Sequence, residues 1–151
     1  MEIITKLFDI DFSAFVPDLP VLLGFIRGFL VLALLAGPIS LVTLGALYLF
    51  KPTPEANYRF GFRTYYGMGS VEAWAFSQRI AGLVFGALGV VLLVAMLIVM
   101  LFFIGKDLMQ IAGICLVVLP IQAVLVLIAR SVVAFLAGKY FDKDGNRRTR
   151  R

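Results

Sequence analysis

Residues 80–104, IAGLVFGALGVVLLVAMLIVMLFFI, decide the fold. None of them is charged, and a helix of this length, at about 1.5 Å per residue, exceeds the ~30 Å hydrocarbon layer of a bilayer. A helix on the surface of a soluble domain keeps one polar face, and this run has none. Just beyond it, Lys106 and Asp107 make a very short turn, and residues 108–129 form another apolar run long enough to span. The short turn forces the second and third helices to be antiparallel neighbours. Upstream, residues 29–50 form a further run of spanning length. The reading is an all-α membrane protein with three transmembrane helices and a structured loop, residues 51–79, between the first two. Composition agrees: 62% of the 151 residues are hydrophobic and 15% charged, against about 45–50% and about 25% in soluble domains.

Three regions follow. Residues 1–20 carry Glu2, Asp9, Asp11 and Asp18 against one lysine, Lys6. They lack the basic start and small-residue cleavage site of a signal peptide. Ile3, Ile4, Leu7, Phe8, Phe12 and Phe15 fall near helical spacing, which predicts an interfacial helix ending before Pro17 and Pro20. Residues 21–138 are the three-helix membrane domain. Residues 139–151 form a basic tail with Lys139, Lys143, Arg147, Arg148, Arg150 and Arg151.

Basic residues near span ends set orientation. With three spans, the 51–79 loop (Lys51, Arg59, Arg63, Arg79) and the basic tail share one side, opposite the acidic N-terminus. The N-terminus is therefore expected outside and the C-terminus in the cytoplasm, in a multi-pass membrane protein. The net charge of +5 points to anionic lipid headgroups and not to nucleic acid, because the basic cluster adjoins a span. Arg27, at the outer end of the first span, is expected to snorkel to the headgroups.

Several chemistries are disfavoured. The chain has no histidine and one cysteine, Cys115, so no intramolecular disulfide is available, and ordinary zinc, copper or haem sites and most triads lack their ligands. No metal or other cofactor is expected, and no enzymatic activity. Within the spans, Pro38 and Pro120 each remove a backbone donor and disturb the carbonyl four residues earlier, at Leu34 and Leu116. Ser40, Thr43 and Gln122 are the polar side chains at similar depth, either hydrogen-bonding between helices or lining a partly polar cavity. Gly24/Gly28 and Gly82/Gly86 have the spacing that lets helix backbones approach, with packing inside the chain the expected use and an oligomer the alternative.

Sequence specificity concentrates in the loop. Pro52 and Pro54 end the first helix. In an extended run, Arg59, Gly61 and Arg63 share one face, while Tyr58, Phe60, Phe62 and Thr64 share the other. Tyr65, Tyr66, Gly67, Met68 and Gly69 make a turn. Ser70 is suited to cap the next helix, and Glu72 lies favourably at its positive end. Trp74, Phe76 and Arg79 follow at interface depth.

Asn57, the Gly61-Phe62-Arg63-Thr64 run, Met68, Ser70, Glu72 and Trp74 together resemble the signature of SdpI-family bacterial membrane proteins. The likeness covers residues 41–91 and leaves the acidic N-terminal segment and the third span outside. Phe62 stands where the family has tyrosine, glycines flank Met68, and Ser77-Gln78 replaces a common Ala-Asn. The founding member has more helices, so short three-helix members are the nearer resemblance. The family's described role is immunity to a secreted peptide toxin, combined with holding a transcriptional repressor at the membrane. The resemblance thus implies a non-enzymatic immunity or signalling protein of the bacterial cell (inner) membrane. Its loop residues Asn57, Arg59, Gly61, Arg63, Thr64, Ser70, Glu72 and Trp74 would engage an anionic ligand, a peptide toxin, or another membrane or cytoplasmic protein. The alternative is a small subunit of a transport or channel complex, with Ser40, Thr43 and Gln122 lining the cavity.

Overall fold

A computed structural model describes residues 18–56 and 59–148; the expected N-terminal interfacial helix and Asn57 lie outside these residues. The chain forms three helices, α1 (Leu19–Phe50), α2 (Val71–Leu101) and α3 (Leu108–Tyr140). All three are long and apolar enough to cross a membrane, so the protein is the expected all-α membrane protein.

The helices outrun the apolar stretches that reveal them. α1 starts ten residues before position 29, with Pro20 in its first turn, where a missing N–H removes no helical bond. α2 starts at Val71, nine residues before position 80, because Ser70 caps it: the Ser70 hydroxyl accepts the Ala73 N–H at 3.1 Å. α3 continues through Arg130 to Tyr140 without a break. Hydropathy marks the part of a helix that lies in lipid, and the helix itself continues into the headgroup layer.

Buried positions on α1 are Leu34, Pro38, Leu41, Gly45 and Tyr48, a seam of alternating four- and three-residue steps. Cys115, Gln122 and Ala129 repeat every seven on α3. These are the spacings of left-handed helix packing. α1 and α2 make the most extensive contact, and glycines permit it. A Cβ on Gly45 would stand 2.6 Å from Gly86 Cα, and one on Gly89 would stand 2.6 Å from Val42 N. Gly82 and Gly86 therefore pack inside the chain, as expected. Gly24 and Gly28 have no such contact among the described residues, where nothing lies within 4 Å of a Cβ built at either position.

Two apolar clusters fill the bundle. One, near the loop, contains Leu41, Tyr48, Phe62, Phe85, Leu92 and Val133. The other contains Leu34, Met96, Phe103, Ile111 and Cys115. Gln122 sits between the helices at mid-depth. Its Nε2 donates to the Leu34 carbonyl at 3.2 Å and to Met96 Sδ at 2.7 Å. Leu34 is the carbonyl that Pro38 deprives of its helical donor, and in lipid such a group needs a protein partner. Ser40 and Thr43 do not join this arrangement. Both are exposed on α1, off the seam, and Thr43 donates to Ile39 O of its own helix at 2.8 Å. The polar cavity drawn from all three residues is thus reduced to one hydrogen-bonding glutamine.

At the far end from the loop, residues 102–107 turn tightly, with Gly105 at φ 73°, and Asp107 caps α3 by accepting the Gln110 N–H at 2.8 Å. Arg27 does not simply snorkel: its Nη2 donates to Phe103 O at 2.8 Å, tying α1 to that turn.

Candidate partner-binding face

The opposite end is built from the loop, the first turns of α2 and the chain beyond α3. Along the loop the predicted alternation holds in part: Arg59 and Arg63 are exposed, Phe62 and Thr64 are buried and Phe60 is half-buried, but Gly61, expected on the face of the two arginines, packs inward on Trp74, and Tyr58 lies outside the described residues. Phe62 packs edge-on against Phe85 at 5.2 Å, and Phe60 lies 5.6 Å from the Tyr48 ring. These rings root the loop in the core while the two guanidinium groups stay at the surface.

Two side chains of α2 fix the loop backbone. Gln78, almost wholly buried, accepts the Phe62 N–H through Oε1 at 2.9 Å and donates from Nε2 to Phe62 O at 2.9 Å. One side-chain amide thus satisfies both polar groups of a buried peptide residue, as a neighbouring strand would. Trp74 has no exposed surface, and its Nε1 donates to Thr53 O at 2.9 Å and to Thr53 Oγ1 at 3.2 Å. Gly61 lies flat against the Trp74 ring at φ 125°, and a Cβ there would collide with ring carbons. Glycine is required twice at this position, for its backbone angle and for space.

Thr64 organises the following turn. Its hydroxyl accepts the Gly67 N–H at 2.9 Å and its carbonyl the Met68 N–H at 3.2 Å. The buried Ser77 hydroxyl lies beneath Gly67, where an added Cβ would strike it. Tyr65 is left largely exposed, at 75%.

Within the basic tail, residues 141–148 fold back as a hairpin. Phe141 pairs with Arg147 across an antiparallel bridge, Arg148 N donates to Tyr140 O at 2.8 Å, and Asp142 N donates to Asn146 O at 2.9 Å. Phe141 is buried at 1% exposure and meets the Phe76 ring at 5.4 Å. Gly145, at φ 79°, abuts the backbone of Gly69 and Ser70, and the Ser70 hydroxyl donates to Gly145 O at 2.7 Å. Ser70 therefore caps α2 and fastens the hairpin at once. The Asp142 carboxylate accepts the N–H groups of Asn146 at 2.8 Å and Asp144 at 3.0 Å. These bonds, Asn146 foremost, hold its carboxyl below the ordinary 3.8. A lowered folded value means that this contribution is present above 3.8 and is lost as pH falls through the folded value.

The predicted site residues thus divide by role. Arg59, Arg63 and Glu72 are exposed on one end of the molecule, while Gly61, Thr64, Ser70 and Trp74 act behind them as positioning residues. Glu72 pairs with Arg147 at 3.7 Å, with both side chains about two-thirds exposed, an interaction worth little in water. Thr53, Phe141 and Gly145 carry no role in the sequence reading, and Gln78 enters it only as a departure from the family's common Ala-Asn. The Asp-Lys-Asp-Gly-Asn run at 142–146 is a turn signal that marks the hairpin. No local pattern marks the pairing of Gln78 with Phe62, which lies sixteen residues away.

No curated protein and no solved structure matches the chain. The SdpI/YfhL protein family matches residues 54–138. The match begins at the loop and, beyond the 41–91 suggested by the motif, includes the third helix. It takes in Gln78, Trp74 and the loop that they hold, and it covers more than half of the sequence. The chain belongs to the SdpI/YfhL protein family.

Proposed function

We propose that this protein is a non-enzymatic receptor of the immunity or signalling type. It sits in the bacterial cell membrane with its loop face in the cytoplasm, where the face engages an acidic segment of a protein partner. One observation carries the reading: the loop is held by buried Gln78 and Trp74, while Arg59, Arg63 and Tyr65 remain at the surface. A loop serving only to connect two helices needs no such clamp. Guanidinium groups suit carboxylates through paired hydrogen bonds, and a surface ordered before binding loses less entropy when a partner docks. Arg79, Lys139, Arg147 and Arg148 are also exposed, giving this end the basic excess that the positive-inside rule assigns to the cytoplasm.

The test is genetic. Cells lacking the gene are challenged with spent medium from a strain secreting the peptide toxin. Rescue by the wild-type chain and loss of rescue with Arg63→Ala, at equal membrane abundance, is the expected result. Equal rescue by both chains would remove the loop face from the function.

A further inference from the structure

We propose that the cleft between the end of α1 and the start of α2 binds one anionic phospholipid, with the phosphodiester at Arg79 and an acyl chain along Leu49 and Phe50. The cleft encloses about 660 Å³ and is walled by Leu49, Phe50, Pro52, Thr53, Ala75 and Arg79, with the Tyr48 ring at its side. Its chemistry is two-part. Leu49, Phe50, the proline and Ala75 make an apolar wall, while Arg79 and the Thr53 hydroxyl are polar. Lys51, exposed at the C-terminal end of α1, adds a second positive charge beside Pro52.

Position selects a lipid over a soluble anion. Arg79 is the last charged residue before the uncharged stretch of α2, and Phe50 is the last residue of α1, 81% exposed. The cleft therefore opens sideways at headgroup depth and runs on into the lipid-facing surface. Among the described residues, no hydrogen bond or ion pair engages Arg79, and the acid two turns earlier, Glu72, is paired with Arg147. A phosphodiester supplies the planar pair of acceptors that a guanidinium matches. A zwitterionic headgroup would bring its own cation towards Arg79 and Lys51. The site is separate from Arg63 and the partner proposed for it, so either proposal can fail alone.

The molecule contains its own reporter. Trp74 is the sole tryptophan; it hydrogen-bonds Thr53 of the cleft wall and precedes Ala75 of the same wall. Full-length protein is reconstituted in phosphatidylcholine vesicles containing phosphatidylglycerol, with dibrominated acyl chains on one lipid or the other, and quenching of Trp74 fluorescence is read. The expected result is a phosphatidylglycerol preference of about tenfold in association: both lipids offer a phosphodiester, but only phosphatidylcholine brings a cation towards Arg79 and Lys51. Arg79→Gln should reduce it to about the level of diffuse surface attraction, while Arg130→Gln, which removes the same charge elsewhere, should leave it. Ala75→Phe, which fills the cleft and keeps Arg79, should lower quenching by both lipids. Equal quenching by the two lipids in the wild type, or an undiminished preference in Arg79→Gln, would overturn the proposal. Displacement by inorganic phosphate would overturn it in favour of a free-anion site.

Discussion

The two ends of the bundle are built differently. At the loop end, Gln78 and Trp74 of α2 and the capping Ser70 hydrogen-bond to backbone outside α2, Thr64 closes the turn to Gly67, and the hairpin after α3 closes over the start of α2. At the other end, among the described residues, Arg27 donates to Phe103 O, and α1 from Leu19 to Phe29 is exposed throughout. Packing in lipid gains nothing from hiding apolar surface, so helices associate through close contacts and polar bonds. By that measure the loop end is fixed and the start of α1 is loosely held. The family match covers most of the loop, α2, the far turn and nearly all of α3, and leaves out both α1 and the hairpin after α3.

Substitutions test this contrast in order of size. Trp74→Ala should have the largest effect, about 3–5 kcal/mol of lost stability for a fully buried ring. It also leaves Gly61 without its platform, so trypsin should cleave at Arg59 and Arg63 much faster than in the wild type. Gln122→Leu is next, at about 1–3 kcal/mol, because it strands the Leu34 carbonyl beside Pro38; thermal unfolding in detergent measures it, and the loop should stay resistant to trypsin. Arg27→Gln is the smallest, about 1 kcal/mol or less. Its effect should appear as faster amide exchange around residues 102–106 with none at the loop. A loop as sensitive to Arg27→Gln as to Trp74→Ala would erase the distinction between the ends.

Much of this was legible in the sequence, for identifiable reasons. Uncharged runs reveal spans because charge is costly in hydrocarbon, and the Ser70 cap and the alternation from Arg59 to Thr64 are local rules. Pro38 announced a carbonyl in need at Leu34, and Gln122 was among the residues named to meet it. The rest depends on relations that local patterns do not encode. Within a run that is apolar all round, periodicity cannot say which face turns inward, so Ser40 and Thr43 were grouped with Gln122 although they lie off the seam. Gln78 meets Phe62 only because α2 lies back along the loop. In the tail, the arginines obscured a turn that Gly145 and Asp142 make, and which Phe141 anchors. Trp74, Gly61 and Thr64 stand out in the sequence as candidate binding residues, whereas the structure puts them behind the surface, where they hold the loop that carries Arg59 and Arg63.

The central claim is that the loop face is held ready before any partner arrives, and amide exchange at Phe62 tests it most directly. In full-length protein without partner, exchange across residues 60–69 should be slow, and Gln78→Leu should accelerate it sharply by removing both bonds to Phe62. Exchange in the wild type as fast as in an unstructured peptide, or unchanged by Gln78→Leu, would contradict the account.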